Sequence, residues 1–190
     1  MSDTEVFYPK TASDWQDWLA TNHACKTSVW LVFYSKASEK PSVTWSDAVD
    51  MALCYGWIDS KKVKIDAETF HQFFSRRKAK STWSKINKDK IAALTEAGLM
   101  AKAGLDAVEM AKQNGSWTLL DEAEDLLIPD DFRQALTDRP GAMDFYESLS
   151  KSVRKMMLTS LVLARRPETR QKRIREIADL AAKGMKPKQF

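Results

Sequence analysis

The stretch GWIDSKKVKIDAETFHQFF, Gly56 to Phe74, decides the fold. Trp57, Val63 and Ile65 share one parity, Phe70 and Phe74 are in phase with each other, and Asp66-Ala67-Glu68 between the two sets suits a turn. Side chains alternate between the two faces of a strand, so this pattern predicts a β-hairpin with strands over 57–65 and 69–74. Asp59 has the parity of Trp57. Its carboxylate is therefore expected on the apolar side, where it must meet a cation or several donors, because a buried charge without them is costly.

Working outward, SVWLVFY from Ser28 to Tyr34 is an unbroken apolar run rich in strand formers, expected as a central strand covered on both faces. Glu5 to Pro9 reads as an edge strand that the proline ends. Helical spacing lies between these strands. Ser13 and Gln16 have the form of a capping box ahead of Trp15, Trp18 and Leu19. Thr44 is placed to cap a second helix carrying Trp45, Ala48, Ala52 and Tyr55, which Gly56 stops. Trp83, Ile86, Leu94 and Ala97 mark a third, ended by Gly98, and a shorter one covers 104–113. Trp15, Trp18, Trp45 and Trp30 accordingly read as core residues.

These elements predict an α+β protein with a small mixed sheet packed with helices over residues 1–117. An acidic linker over 118–129 and an all-helical module over 130–190 follow. The module opens at Pro129 with Asp130 as the expected N-cap. Val153, Met156, Met157, Ser160, Leu161 and Ala164 form its clearest helical stripe. Pro167 then opens a last helix with Ile174, Ile177, Ala178 and Ala181 inward and Gly184 as its stop.

The balance of 44% hydrophobic and 29% charged residues is that of a folded domain and excludes a disordered or fibrous chain. No run approaches the ~18 apolar residues of a membrane helix, and Met1 to Lys10 lacks a cationic start followed by an apolar stretch, so a cytoplasmic protein without a membrane span is expected. Cys25 and Cys54 are too few for a disulfide framework. The net charge of +4 is unevenly spread. Residues 118–150 carry about −7 and 151–190 about +9, so the two blocks can pair with each other or recruit partners separately.

Familiar catalytic signatures are absent: no glycine-rich phosphate loop, nucleophile elbow, paired-histidine helix or calcium loop occurs. His23, Cys25, Cys54 and His71 do not have the spacing of a zinc site, so neither a metal nor a cofactor is expected. A Cys54–His71 nucleophilic pair is a weaker reading than Cys54 as a small buried hydrophobe. The informative region is the hairpin with the basic FHQFFSRRKAKSTWSKIN that follows. There Arg77 and Lys80 are natural partners for Asp59, since a guanidinium can clamp a carboxylate bidentately. Ser81, Ser84 and Asn87 at a helix start, with Trp57 and Trp83 as apolar walls, would complete a small anion site. An internal Asp59–Arg77 lock is the alternative.

These motifs resemble the bacterial YdeI/OmpD-associated family, the bacteriocin-protection proteins. The resemblance rests on the GWID tetrad after a helix, the basic segment, and Trp83-Ser84-Lys85-Ile86-Asn87. In the tail it rests on Pro129, Ala135-Leu136, Phe145 and Tyr146 before Leu149-Ser150, and above all ARRPETRQKRI from Ala164 to Ile174. It implies a two-part protein, linked in some members to protection against cationic antimicrobial peptides and to a porin, and it implies no established reaction. Where members carry a proline-bounded PRRPRS segment, this chain has Arg76 and Ala79 in place of the prolines and Lys78 and Lys80 in place of arginines.

Three functions compete. A non-enzymatic binding protein would take a small anionic ligand or a protein partner near Asp59, Arg77 and Trp83. A nucleic-acid-binding protein would use Arg165, Arg166, Arg170 and Arg173 on the basic last helix, with salt-sensitive affinity. An enzyme would use Asp59 as a general base beside Arg77, which needs an open cleft and a raised carboxylate pKa. The first reading is preferred, with no catalytic residue assigned.

Overall fold

The hairpin forms. In the computed structural model, which describes residues 4–187, β3 (Trp57–Lys64) and β4 (Thr69–Arg76) pair antiparallel. Asp66 Oδ1 accepts the Glu68 and Thr69 amides at 2.8 and 2.7 Å and so closes the turn with its own side chain. On the other side of β4 runs β2 (Ser28–Tyr34), antiparallel to it, and β1 (Val6–Phe7) adds a parallel edge, giving a mixed sheet ordered β1-β2-β4-β3.

Two strand expectations change. Val29, Leu31 and Phe33 of β2 are buried while Ser28, Trp30, Val32 and Tyr34 are only half-buried. The strand is thus covered on one face, and Trp30 lies outside the core. The reason is topological: the sheet is largely antiparallel, and such sheets need helices on one side only. The parity of β3 also breaks. Asp59 opposes Phe74 and Lys62 opposes Gln72, so Ser60 and Lys61 together stand against Phe73 in a β-bulge. Trp57 and Asp59 therefore share the helix-covered face, whereas Val63, opposite His71, turns to the other face and Ile65 lies beyond the strand with 52% of its surface exposed.

The covering helices are α1 (Ala12–Asn22) and α2 (Trp45–Cys54). Trp15, Trp18 and Leu19 of α1 are buried, with Trp15 edge-on to Phe74 at 5.4 Å and Trp18 edge-on to Trp57 at 5.7 Å. The capping box is Thr11 with Asp14, not Ser13 with Gln16. Helix α2 starts from the expected Thr44 cap, yet Trp45 is 49% exposed because it occupies the first turn, outside the buried stripe of Ala48, Val49, Ala52 and Leu53. Gly56 follows at φ +72, where a side chain would be strained and a Cβ would come within 3.0 Å of Ala103 O and 3.1 Å of the Ala107 methyl. Helices α3 (Lys85–Glu96) and α4 (Lys102–Gln113) complete the mixed half.

The chain divides into two compact units, one made of residues 1–81 and 86–117, the other of 82–85 and 118–190. The second is all-helical: α5 (Asp121–Glu124), α6 (Asp130–Thr137), α7 (Ala142–Ser148), α8 (Lys151–Val162) and α9 (Pro167–Ala182). Phe132, Leu136, Tyr146, Met157, Leu161, Ile174 and Ile177 are its main buried side chains. Pro129, not Asp130, is the N-cap of α6. The stretch 118–129, expected as a linker, carries α5 and sends Ala123 into this core.

Within this unit the acidic and basic stretches pair. Arg170 Nε and Nη2 hold both oxygens of Asp131 at 2.8 Å, and Lys155 meets Glu124 at 3.0 Å. The bonds from Arg170 hold the Asp131 carboxyl below the ordinary carboxylate value and hold the guanidinium above its own. The overall class is α+β, with a helix-covered sheet followed by a helical module.

The two cysteines are expected to respond differently to thiol reagents. Burial, and next the charge of Asp50, push the Cys54 thiol up to about 11, whereas Cys25 is exposed. The thiolate is the reactive form. One thiol per chain is expected to react rapidly with a disulfide reagent at pH 8 and the second only after denaturation; two rapid equivalents from the folded protein would contradict this burial.

Candidate functional site

Asp59 lies at the centre of the candidate site in the N-terminal unit. Strand alternation ahead of the bulge turns it toward the helix-covered face, where its Oδ2 accepts from Trp45 Nε1 at 2.9 Å and from Gln72 Nε2 at 3.0 Å. Gln72 is buried and also reaches Ser60 O at 3.3 Å, across the bulge. Neutral donors from α2 and β4 thus hold the carboxylate. Neither donor was assigned from sequence. Gln72 left a signal there, being a polar residue in phase with Phe70 and Phe74 and so bound to need a partner. Trp45 left none, because its bond to Asp59 spans two elements.

Arg77 lies just past β4, its amide donating to Gly56 O at 2.9 Å. Burial pulls its guanidinium down to about 10, with the Asp59 carboxylate acting in the opposite direction. Desolvation therefore outweighs what Asp59 restores. Trp57, paired with Arg76 across the ladder, is fully buried, and its Nε1 has no hydrogen-bond acceptor among the described residues. A buried donor in that state costs on the order of 1–3 kcal/mol until an acceptor reaches it.

The basic loop that follows is fixed without prolines. Ser81 closes it by accepting the Lys78 amide at 3.0 Å and donating its own amide to Lys78 O at 2.9 Å. Ala79 O accepts from Asn114 Nδ2 at 2.6 Å and Ser116 Oγ at 3.4 Å, which ties the loop to the end of α4. Lys80 is exposed at its tip. Arg76, by contrast, spends its Nη2 on the carbonyls of His23, Ala24 and Lys26 at 2.7–2.9 Å and holds the α1–β2 connection.

The remaining sequence candidates separate between the units. Asn87 belongs with Asp59, Arg77, Lys80 and Ser81 in the first unit, while Trp83 and Ser84 lie in the segment 82–85 of the second, where Trp83 is buried. The start of α3 already carries an anion, because Glu124 Oε1 accepts the Lys85 amide at 3.3 Å. Among the described residues no three His, Cys, Asp or Glu side chains cluster as metal ligands, and no helix is long and apolar enough to cross a membrane. Cys54 ends α2 on the covered side of the sheet, while His71 pairs with Val32 and Val63 on the open side. The two do not make a nucleophilic pair.

Arg165 and Arg166, just ahead of the last helix, and Lys172 and Arg175 on it are exposed. Arg170 is taken by Asp131 and by Leu161 O at 3.1 Å, and Arg173 Nη1 reaches Ser160 O at 2.5 Å. Two of the four arginines assigned to nucleic acid thus fasten α9 to its neighbours.

No curated protein and no solved structure matches the chain. Two families do. Residues 125–184, which hold most of the tail motifs quoted above, match the family described as bacteriocin-protection, YdeI or OmpD-associated. Residues 7–107, more than half of the chain and all but the first residue of the sheet, match a domain of unknown function, DUF8412. The chain belongs to the DUF8412 family through its sheet-bearing half and carries a bacteriocin-protection, YdeI or OmpD-associated domain in its helical half.

Proposed function

We propose that this chain is a binding protein with a bacteriocin-protection-related role, which takes an anionic group of a small ligand or partner protein beside Arg77 and turns over no substrate. The observation that carries the reading is the buried Trp57 Nε1 without an acceptor, next in the ladder to the strand end that leads into Arg77. An anion would supply an acceptor to the indole and offset the desolvation of the guanidinium. Asp59, held by Trp45 and Gln72, favours the charged form of the guanidinium.

The enzyme alternative is less well supported. A general base must be presented to a substrate proton with a pKa suited to that task. Asp59 instead has one oxygen shared between two structural donors.

The test is thermal shift of the full chain with inorganic phosphate, pyrophosphate and citrate at constant ionic strength. A binding anion should raise Tm in a saturable way, as any ligand of the native state does. Arg77→Gln should remove the rise, and Trp57→Phe, which deletes only the indole donor, should weaken it. The same rise in Arg77→Gln, or none with any of the three anions, would overturn the reading.

A further inference from the structure

The face of the sheet away from α1 and α2 carries a row of rings that the anion reading does not use. Cross-strand partners share a face, so the register places Trp30 with Phe73, Val32 with His71 and Tyr34 with Thr69 on this side. The Trp30 and Phe73 rings meet at 4.9 Å and 66°, and Trp30 and His71 at 6.5 Å. Tyr8, just beyond β1, meets Tyr34 edge-on at 5.1 Å. All five rings are half-buried. The opposite face is different, since Val29, Leu31 and Phe74 there are fully buried beneath the helices.

Lysines stand at two edges of this ring row, one of them with the Asp66 carboxylate near enough to feel its charge. Lys40 Nζ lies 4.9 Å from the centroid of the Tyr34 ring. At the other edge the bulge puts the exposed Lys61, with Ser60, opposite Phe73. Ser28, paired with Ser75, and Thr69 interleave the rings with hydroxyls. The platform thus mixes rings and hydroxyls with the aliphatic Val6, Val32, Ile58 and Val63, which the register puts on the same face, and the ammonium groups beside it fit a polyanion better than a neutral apolar partner. Single-stranded nucleic acids present the complementary chemistry, namely unpaired π faces every few ångströms along a polyanion. Proteins bind them by stacking bases on sheet aromatics while nearby cations track the phosphates.

We propose that this open sheet face binds single-stranded nucleic acid, with Trp30, Phe73 and His71 stacking successive bases and Lys61 and Lys40 meeting the phosphates. The site is separate from the basic face of α9 and does not rest on the anion site at Arg77.

The experiment is fluorescence anisotropy of the full chain with labelled uridine and deoxythymidine oligonucleotides of about 12 nucleotides, within the usual footprint of such platforms. Binding is expected at low salt, weakening as salt rises, and quenching tryptophan emission. Trp30→Ala and Phe73→Ala should each weaken it about tenfold, the scale of one lost base stack. Trp30→Tyr, which keeps a ring, should retain most of the affinity. Lys61→Ala, on an exposed residue and safe for folding, should lower affinity and flatten the salt dependence. A preference for the uridine strand would assign RNA and equal binding either strand, both in keeping with the proposal. No binding at low salt would overturn it. So would binding that ignores Trp30, Phe73 and Lys61 but is lost in an Arg165→Ala, Arg166→Ala double variant. Self-association abolished by Trp30→Ala, without oligonucleotide binding, would give the face to a second copy of the chain and overturn it equally.

Discussion

Trp15→Ala is expected to lower the unfolding free energy by about 3–5 kcal/mol, the usual cost of truncating a fully buried large aromatic. Three losses combine. The indole has none of its surface exposed, and it stacks on Trp18 at 5.1 Å while meeting Phe74 edge-on at 5.4 Å, so its removal opens a cavity between α1 and the sheet. Its Nε1 donates to Ala48 O at 3.0 Å, tying α1 to α2 by a bond that alanine cannot make. The buried Ala48 carbonyl is then left with its helical partner alone. Trp15→Phe separates these contributions, because it keeps most of the apolar volume and deletes only the hydrogen bond, at about 1 kcal/mol. Urea denaturation followed by circular dichroism measures both. A loss below about 1 kcal/mol for the alanine variant would show that this indole is not the keystone of the aromatic core, against a total stability usually near 5–15 kcal/mol.

Gly104→Ala should destabilise although the substitution lies in a helix. Elsewhere a Gly-to-Ala change inside a helix gains about 1 kcal/mol from backbone entropy and propensity. Here the added methyl would stand 2.3 Å from Cys54 O and 2.7 Å from Cys54 C, both backbone atoms of the neighbouring helix end. Atoms of the main chain cannot step aside as a flexible side chain can. The same carbonyl accepts the Ala101 amide at 3.0 Å, so any shift that relieves the methyl also loosens the bond that starts α4 against α2. Overpacking of this kind costs about 1–3 kcal/mol. The sign is therefore the test, and a melting temperature unchanged or raised in Gly104→Ala would mean that α2 and α4 are further apart than described.

What the sequence disclosed and what it hid follow from the range of the interactions. The α1 stripe of Trp15, Trp18 and Leu19 and the α9 stripe of Ile174, Ile177, Ala178 and Ala181 are buried as their spacing required, because helical periodicity is a local property. Asp59 faces the same side as Trp57 for an equally local reason, since only one residue separates them and the bulge comes afterwards. Beyond the bulge the same counting fails. One extra residue inverts every later side chain, and no composition signal in Ser60-Lys61 marks it, so Val63 was placed on the wrong face. The covering of β2 on both faces was misjudged because a continuous apolar run does not reveal whether its second face meets a helix or stays open. That error concealed Trp30 and with it the aromatic platform.

Of the proposed site, the inward direction of Asp59 was legible. Asp59 facing inward and near Arg77 could be argued from parity and charge, while its direct donors, Trp45 and Gln72, come from elements 14 and 13 residues away and needed the register to be known. Trp83 and Ser84 are adjacent in sequence to the basic loop but fold with the C-terminal unit, and no feature of the stretch STWSKIN announces that the chain changes unit there.

The most direct test of the central claim is nuclear magnetic resonance of the indole N–H groups of the nitrogen-15-labelled chain, titrated with pyrophosphate. If an anion enters beside Arg77, the buried Trp57 Nε1–H should move downfield as it gains an acceptor, together with the Arg77 amide, while Trp15 Nε1–H, bonded to Ala48, stays in place. A titration that leaves the Trp57 indole and the Arg77 amide unmoved, or shifts only residues of α9, would contradict the account.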